Sequence, residues 1–117
     1  AKIRAVNVAY GVGKAGVDRM SRDMAPELGP HGVCVVSLWP GIVKTERLLL
    51  EPDRLGFDLT HGESPVFSGR AVAAIAADPK RLERSGQALV VAELAREYGF
   101  FDEDGSQPRS LRDQKKA

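Results

Sequence analysis

The sequence predicts an α/β fold in which two parallel strands alternate with two helices, in the order helix, strand, helix, strand. The main indication is residues 33–39, an almost continuously apolar run that Pro40 and Gly41 close. Strands with one wet face alternate polar and apolar residues, so this run is typical of a central strand covered on both faces. Two strands joined by a helix form a right-handed parallel unit, but a strand of this kind needs further neighbours. We therefore expect part of a doubly wound parallel sheet, with its N-terminal strands missing from this chain.

The first helix is predicted from Lys14 to Leu28. Its apolar residues recur at helical spacing and predict one buried stripe, formed by Val17, Met20, Met24 and Leu28. Pro26 and the turn of residues 29–32 indicate where this helix ends.

The second helix is predicted to begin at Ser64, as N-cap, and Pro65, in the first turn, and to reach about Ala77. A second strand is expected at residues 87–92. Residues 42–63 are irregular in composition, and a loop of this length in a compact domain is usually functional or mobile. Residues 102–117 are polar and aperiodic, which predicts a loose tail after a domain of residues 1–101.

The composition excludes several classes of function. The chain has 117 residues, 43% hydrophobic and 28% charged, with a net charge of +1, so we expect one soluble domain and no nucleic-acid partner. The single Cys34 excludes an internal disulfide and a multi-cysteine metal site. His31 and His61 have no evident partners, and residues 102–104 lack the spacing of a calcium loop, so no metal is expected. No apolar stretch is long enough to span a membrane, and a cytoplasmic location is expected.

Tyr10 and Lys14 are the residues most suggestive of chemistry. Four positions apart in a helix, they project from the same face. A phenol titrates near pH ~10 and is a poor acid–base catalyst at neutral pH, but a nearby ammonium favours the phenolate. Residue types alone leave open an aromatic core residue beside a surface lysine.

The surrounding motifs resemble those of the short-chain dehydrogenase/reductase family over roughly 100 residues. Tyr10 and Lys14 match its Tyr-x-x-x-Lys motif, and residues 40–45 are similar to its Pro-Gly-x-x-x-Thr segment, after a strand end where open α/β sheets bind ligands. Residues 64–71, 85–87 and 94–99 extend the resemblance, and residues 37–41 and 94–99 look most like the branch called dehydrogenase/reductase family member one. The chain thus resembles the C-terminal half of a Rossmann-like domain of this family.

The resemblance implies an oxidoreductase that transfers hydride between NAD or NADP and a small-molecule carbonyl or alcohol. Tyr10 would be the general acid/base, and Lys14 would hold the nicotinamide ribose. Pro40, Gly41 and Ile42 would pass against the nicotinamide, with the Thr45 hydroxyl near its carboxamide. Residues 46–63 would form a lid for an apolar substrate, although a loop held to the body by its own leucines remains an equal alternative. The resemblance also implies a homo-oligomer.

The sequence departs from the family pattern before Tyr10. The family has a catalytic serine about a dozen residues before its tyrosine, whereas only nine residues precede Tyr10 and none is a serine. The glycine-rich pyrophosphate turn also has no counterpart under this interpretation. We therefore expect the isolated chain to be a poor enzyme, and the alternative is a non-catalytic remnant that acts only by association.

A rival interpretation rests on Gly11, Gly13 and Gly16, which spell Gly-x-Gly-x-x-Gly. A dinucleotide fingerprint has this pattern in a strand-to-helix turn and an acid about 20 residues later at the next strand tip. Here the first acid after that tip is Glu46. The glycines are therefore expected to let the start of the helix approach a cofactor or a neighbouring helix closely.

Overall fold

The computed structural model describes residues 8–51, 56 and 58–114. Helices are α1 (Val8–Leu28), α2 (Glu46–Leu50), α3 (Pro65–Ala77), α4 (Val91–Tyr98) and α5 (Leu111–Gln114), with 3₁₀ turns at Gly29–His31 and Arg81–Arg84. Strands β1 (Ser37–Trp39) and β2 (Ala88–Val90) pair in parallel. The predicted small α/β arrangement with two parallel strands is thus confirmed, and it is consistent with part of a Rossmann-like fold. Over the described ranges, no helix is both long and apolar enough to cross a bilayer.

The chain divides into two compact units, the first made of Ala1–Ser37 and Pro79–Ala88. Its main element is α1, which buries Ser21 and Ala25. A Cβ at Gly86 would lie 3.2 Å from the Ala25 Cβ, and Gly86 has a φ of +83°, so this close contact favours glycine. The Ser37 hydroxyl donates a hydrogen bond to the Asp18 carboxylate at 2.5 Å.

The predicted buried stripe of α1 is wrong for this chain. Val17, Met20 and Met24 are 45%, 53% and 37% exposed. The buried residues of α1 are the small Ser21 and Ala25 instead, and Ala25 lies against Gly86. A helix buries the side chains that face its packing partner, and among the described residues none covers the larger apolar ones.

Strand β1 is shorter and less covered than predicted. Only Ser37–Trp39 of residues 33–39 forms a strand. Ser37 is buried, but Val33 and Trp39 are 43% and 42% exposed. Among the described residues β2 is the one strand hydrogen-bonded to β1, and the 42% exposure of Trp39 shows that they do not bury β1 on both faces.

The second unit, Leu38–Asp78 with Leu89–Ala117, has its core between α3 and α4. Phe67 is fully buried, and its ring meets that of Phe100 edge-on with centroids 5.3 Å apart. Helix α3 spans the residues predicted for the second helix. The second strand ends earlier than predicted, because the residues from Val91 onward have helical spacing and bury one face of α4, with buried residues Val91, Ala92, Leu94 and Ala95.

Within residues 102–114, Asp102 and Ser110 are held to the second unit, unlike the loose tail expected. Asp102 and Ser110 are only 4% and 1% exposed. The Asp102 carboxylate accepts hydrogen bonds from the Ser64 amide at 2.8 Å and from the Ser64 hydroxyl at 2.5 Å. Ser64 is at the N-cap position, as predicted, but its side chain bonds Asp102 and does not cap α3. Polar composition thus did not indicate a lack of structure here, because these polar groups have specific partners.

Candidate functional site

Tyr10 and Lys14 lie together in the first and second turns of α1. The Lys14 Nζ is 5.6 Å from the centroid of the Tyr10 ring. The structure thus brings the pair together as the i, i+4 spacing predicts. Tyr10 is 55% exposed, and Lys14 is exposed as well. The alternative of a buried aromatic core residue is therefore excluded for Tyr10 in this chain.

Gly11, Gly13 and Gly16 lie inside α1, which already begins at Val8. A dinucleotide fingerprint requires its glycines in a tight turn between a strand and a helix, so the rival interpretation is wrong. Among the described residues nothing lies within 4 Å of a Cβ at these three positions, and no neighbouring helix approaches them closely. The rival interpretation would make residues 3–9 a strand, and most of that range lies outside the described residues.

Residues 40–45 follow β1 directly and lead into α2. The Ile42 carbonyl accepts a hydrogen bond from the Glu63 amide at 2.8 Å. Thr45 is the N-cap of α2, and its hydroxyl oxygen accepts from the Leu48 amide at 3.5 Å. This capping bond gives Thr45 a structural role that the sequence did not indicate. Leu49 and Leu50, within the predicted lid, are 55% and 82% exposed.

Glu63 is the residue that sequence reasoning missed. Glu63 falls within the predicted lid of residues 46–63, yet it is only 2% exposed. Its Oε2 accepts a hydrogen bond from the Gly41 amide at 3.0 Å, and residues 43 and 63 form a parallel β-bridge. Burial disfavours the charged carboxylate and, with the nearby Asp102 charge, raises the pKa of Glu63 above its ordinary value, although the Gly41 hydrogen bond opposes this. The one sequence feature that could have indicated this role is a charged residue directly after Gly62, and such a feature is weak evidence for a buried carboxyl group.

A cavity of about 200 Å³ adjoins residues 39–41 within the second unit. Glu63 lies at its wall, and the Arg112 guanidinium is 5.5 Å from the centre of the Trp39 ring. The remaining lining is mostly apolar and comes from Pro40, Gly41, Val90, Ala92, Ser110 and Leu111. A smaller cavity of about 100 Å³ also includes Gly41, Ile42 and Glu63.

The other chemically suggestive residues do not form a site. Cys34 is half-buried and its thiol donates to the Arg81 carbonyl at 3.0 Å, a contact that suits a structural role. Within the described ranges no three His, Cys, Asp or Glu side chains are grouped as metal ligands would be. His31 and His61 are both exposed.

The predicted site residues fall into two groups. Tyr10 and Lys14 belong to the first compact unit, and residues 40–45 belong to the second. Each group has its own local order: the i, i+4 pair on α1, and the segment bonded to Glu63 after β1.

Comparison with known proteins agrees with the motifs. Residues 2–51 match the family model described as short chain dehydrogenase. The proteins named Dehydrogenase/reductase SDR family member 1 from Mus musculus and from Homo sapiens are each 46% identical over 110 residues, covering 85% of this chain and 35% of the relative. Short-chain reductase protein NovJ from Streptomyces niveus is 36% identical over 66 residues, covering 56% of this chain and 25% of that protein.

The chain is similar to members of the short-chain dehydrogenase/reductase family, which are oxidoreductases that typically depend on NAD(P). The two mammalian relatives carry the name of the branch that residues 37–41 and 94–99 indicated. The chain spans about a third of the length of these relatives, 35% of each.

Proposed function

We propose that this chain supplies the catalytic pair and the nicotinamide-facing segment of a dehydrogenase/reductase that transfers hydride reversibly between NAD(P)(H) and a carbonyl or alcohol. Tyr10 gives or takes the proton at the substrate oxygen. Lys14 binds the ribose hydroxyls. Pro40, Gly41, Ile42 and Thr45 line the nicotinamide, which supplies or accepts the hydride when bound.

The observation that carries this proposal is the exposed Tyr10–Lys14 pair, with 5.6 Å between the Nζ and the ring centroid. A phenol that moves a proton must be accessible to a substrate, and Tyr10 is 55% exposed. A nearby ammonium offers three hydrogen-bond donors, which suit a ribose diol. The donor set therefore fits the cofactor that the family uses.

The substrate in this proposal is a small, mainly apolar carbonyl compound or alcohol. Support comes from Leu49 and Leu50, which lie in α2 directly after residues 40–45 and expose their side chains. A lid formed by residues 46–63 would cover the substrate with such side chains and exclude water from the reacting groups.

We further propose that residues 1–101 form the C-terminal half of a Rossmann-like domain, followed by a C-terminal segment of residues 102–117. The partly exposed Trp39 of β1 and the exposed apolar side chains of α1 support this, since a further layer of the domain would bury them. The upstream half would add the missing strands, the pyrophosphate turn and the catalytic serine, so the isolated chain is inactive. The assembled protein would act in the cytoplasm as a homo-oligomer.

A graft tests the catalytic part of this proposal. In this graft the chain replaces the matching segment of the mouse relative, which supplies the upstream residues. The unaltered mouse protein identifies a reducible carbonyl substrate and serves as the positive control. Tyr10→Phe removes only the hydroxyl, so we expect cofactor affinity within about twofold of the parent graft and turnover lower by about 10²-fold or more. Turnover in Tyr10→Phe equal to that of the parent graft would exclude Tyr10 as the proton-transfer group.

The second candidate function is association without catalysis. The specific observation in its favour is the exposed side of α1, where Val17, Met20 and Met24 are 45%, 53% and 37% exposed. Under this alternative the 117-residue chain self-associates, and Met20→Lys abolishes the association because it places a charge in the contact. Sedimentation velocity measures this directly. If the chain is monomeric at all concentrations tested, self-association is excluded as its function.

A further inference from the structure

Backbone hydrogen bonds hold the middle of residues 40–45 beside Glu63. The Glu63 amide donates to the Ile42 carbonyl at 2.8 Å, and the Lys44 amide donates to the Glu63 carbonyl at 2.8 Å. These two bonds define the parallel bridge between Val43 and Glu63. Gly41 precedes the bridge, so the backbone pairing alone does not fix its position.

The Glu63 side chain reaches Gly41 instead. Its Oε2 accepts the Gly41 N–H at 3.0 Å, and a Cβ at Gly41 would lie 2.8 Å from Oε1. Only glycine allows this approach without displacing the carboxyl group. Glu63 is 2% exposed, so burial of its carboxyl group costs desolvation free energy. An apolar side chain would fill the same space without that cost. The arrangement therefore indicates a role for the acceptor oxygen beyond packing.

We propose that Glu63 is a positioning residue that fixes Gly41, and through it the start of residues 40–45, for contact with the nicotinamide. The contact with the nicotinamide rests on the proposed function above. Loss of the acceptor leaves the Gly41 N–H without its partner and lets the segment move. Glutamine keeps an acceptor oxygen at the same distance along the side chain, so it should preserve the position that alanine loses.

Other ionisable groups face Glu63 or share its cavities and must be considered in any titration. Asp102 acts on it through charge and raises its pKa. Lys44 follows the bridged Val43, and its amide donates to the Glu63 carbonyl. The other groups line the two cavities, namely Asp58, His61, Arg109 and Arg112. Substitution of Glu63 itself therefore distinguishes the titration of Glu63 from the titrations of these other groups.

The first test follows the Gly41 amide in the 117-residue chain by ¹H–¹⁵N NMR as the pH changes. We expect a transition above the ordinary glutamate pKa of 4.5, because burial raises the pKa of Glu63. Glu63→Gln should abolish this transition, and the matched control Glu46→Gln, in exposed α2, should retain it. A Gly41 amide that does not titrate, or one that titrates unchanged in Glu63→Gln, would overturn the proposal.

The second test measures the Kd for NADH and NADPH in the graft. Glu63→Ala should weaken binding by about tenfold or more, while Glu63→Gln should restore it to within about twofold of the parent. Equal weakening by both variants, or none by either, contradicts a positioning role for the acceptor oxygen. If the parent graft binds neither cofactor, the proposed function fails, and the NMR titration still decides whether Glu63 holds Gly41.

Discussion

At the scale of single residues, the pKa values of two buried carboxyl groups in the second unit are shifted in opposite directions. Glu63 is desolvated and accepts one hydrogen bond from a backbone amide, so its pKa is raised. Burial also acts on Asp102, but bonds from the Ser64 hydroxyl and amide and from the Glu103 amide outweigh it and lower the pKa. The number of donors around each group therefore decides the sign.

Asp102 should make the stability of the chain dependent on acid pH. Because its folded pKa lies below the ordinary 3.8, its contribution is present above pH 3.8 and is lost as the pH falls through the folded pKa. We expect Asp102→Asn to lower the free energy of unfolding by about 2 kcal/mol at pH 7. The difference from the parent should shrink as the pH falls below 3.8.

Urea unfolding at a series of pH values measures this difference. Asp113→Asn is the matched control, because Asp113 is also in the C-terminal segment but its carboxylate forms an exposed ion pair, with Arg96 at 3.0 Å. A loss in Asp102→Asn that stays constant from pH 7 to pH 3 would show that the charge of Asp102 is not the cause.

Sequence reasoning reached some site residues and missed others for a physical reason. Tyr10 and Lys14 interact within one helix, so their spacing alone predicts their contact. Glu63 accepts a hydrogen bond from Gly41, 22 residues away along the chain, and Asp102 accepts one from Ser64, 38 residues away. No local pattern encodes contacts at such separations.

At the scale of elements, local signals predicted α3 well and α4 poorly. Ser64 and Pro65 mark the start of α3, because proline is tolerated in the first turn of a helix. The apolar residues 88–92 suit either a strand or a buried helix face, and the sequence alone did not separate them. The structure ends the strand at Val90 and begins α4 at Val91.

Two glycines on these helices should respond oppositely to alanine. Gly99 ends α4 with a φ of +76°, where a Cβ is disfavoured, so Gly99→Ala should lower the free energy of unfolding by about 1–2 kcal/mol. Gly69 lies inside α3 with nothing within 4 Å of a Cβ, so Gly69→Ala should raise it by about 0.5–1 kcal/mol. Thermal or urea unfolding compares the pair, and changes of equal sign would contradict the assigned backbone conformations.

At the scale of the whole molecule, the sequence predicted an incomplete sheet, and the exposure of the elements agrees with it. Within the described residues β1 has one hydrogen-bonded neighbour, and Trp39 in that strand is 42% exposed. The apolar side chains of α1 are exposed too, although their spacing is typical of a buried stripe. Periodicity indicates which face is built for burial, but it does not show whether the covering partner belongs to the same chain.

The central claim is that Lys14 holds the cofactor in a site completed by upstream residues. Calorimetric titration of NADH and NADPH into the graft tests it most directly. Lys14→Ala is compared with Arg19→Ala, which removes an exposed cation from the same helix. The account predicts saturable binding in the graft, weakened about tenfold or more in Lys14→Ala and little changed in Arg19→Ala, with no binding to the isolated 117-residue chain. A folded graft that binds neither cofactor, or binds equally well without Lys14, would contradict it.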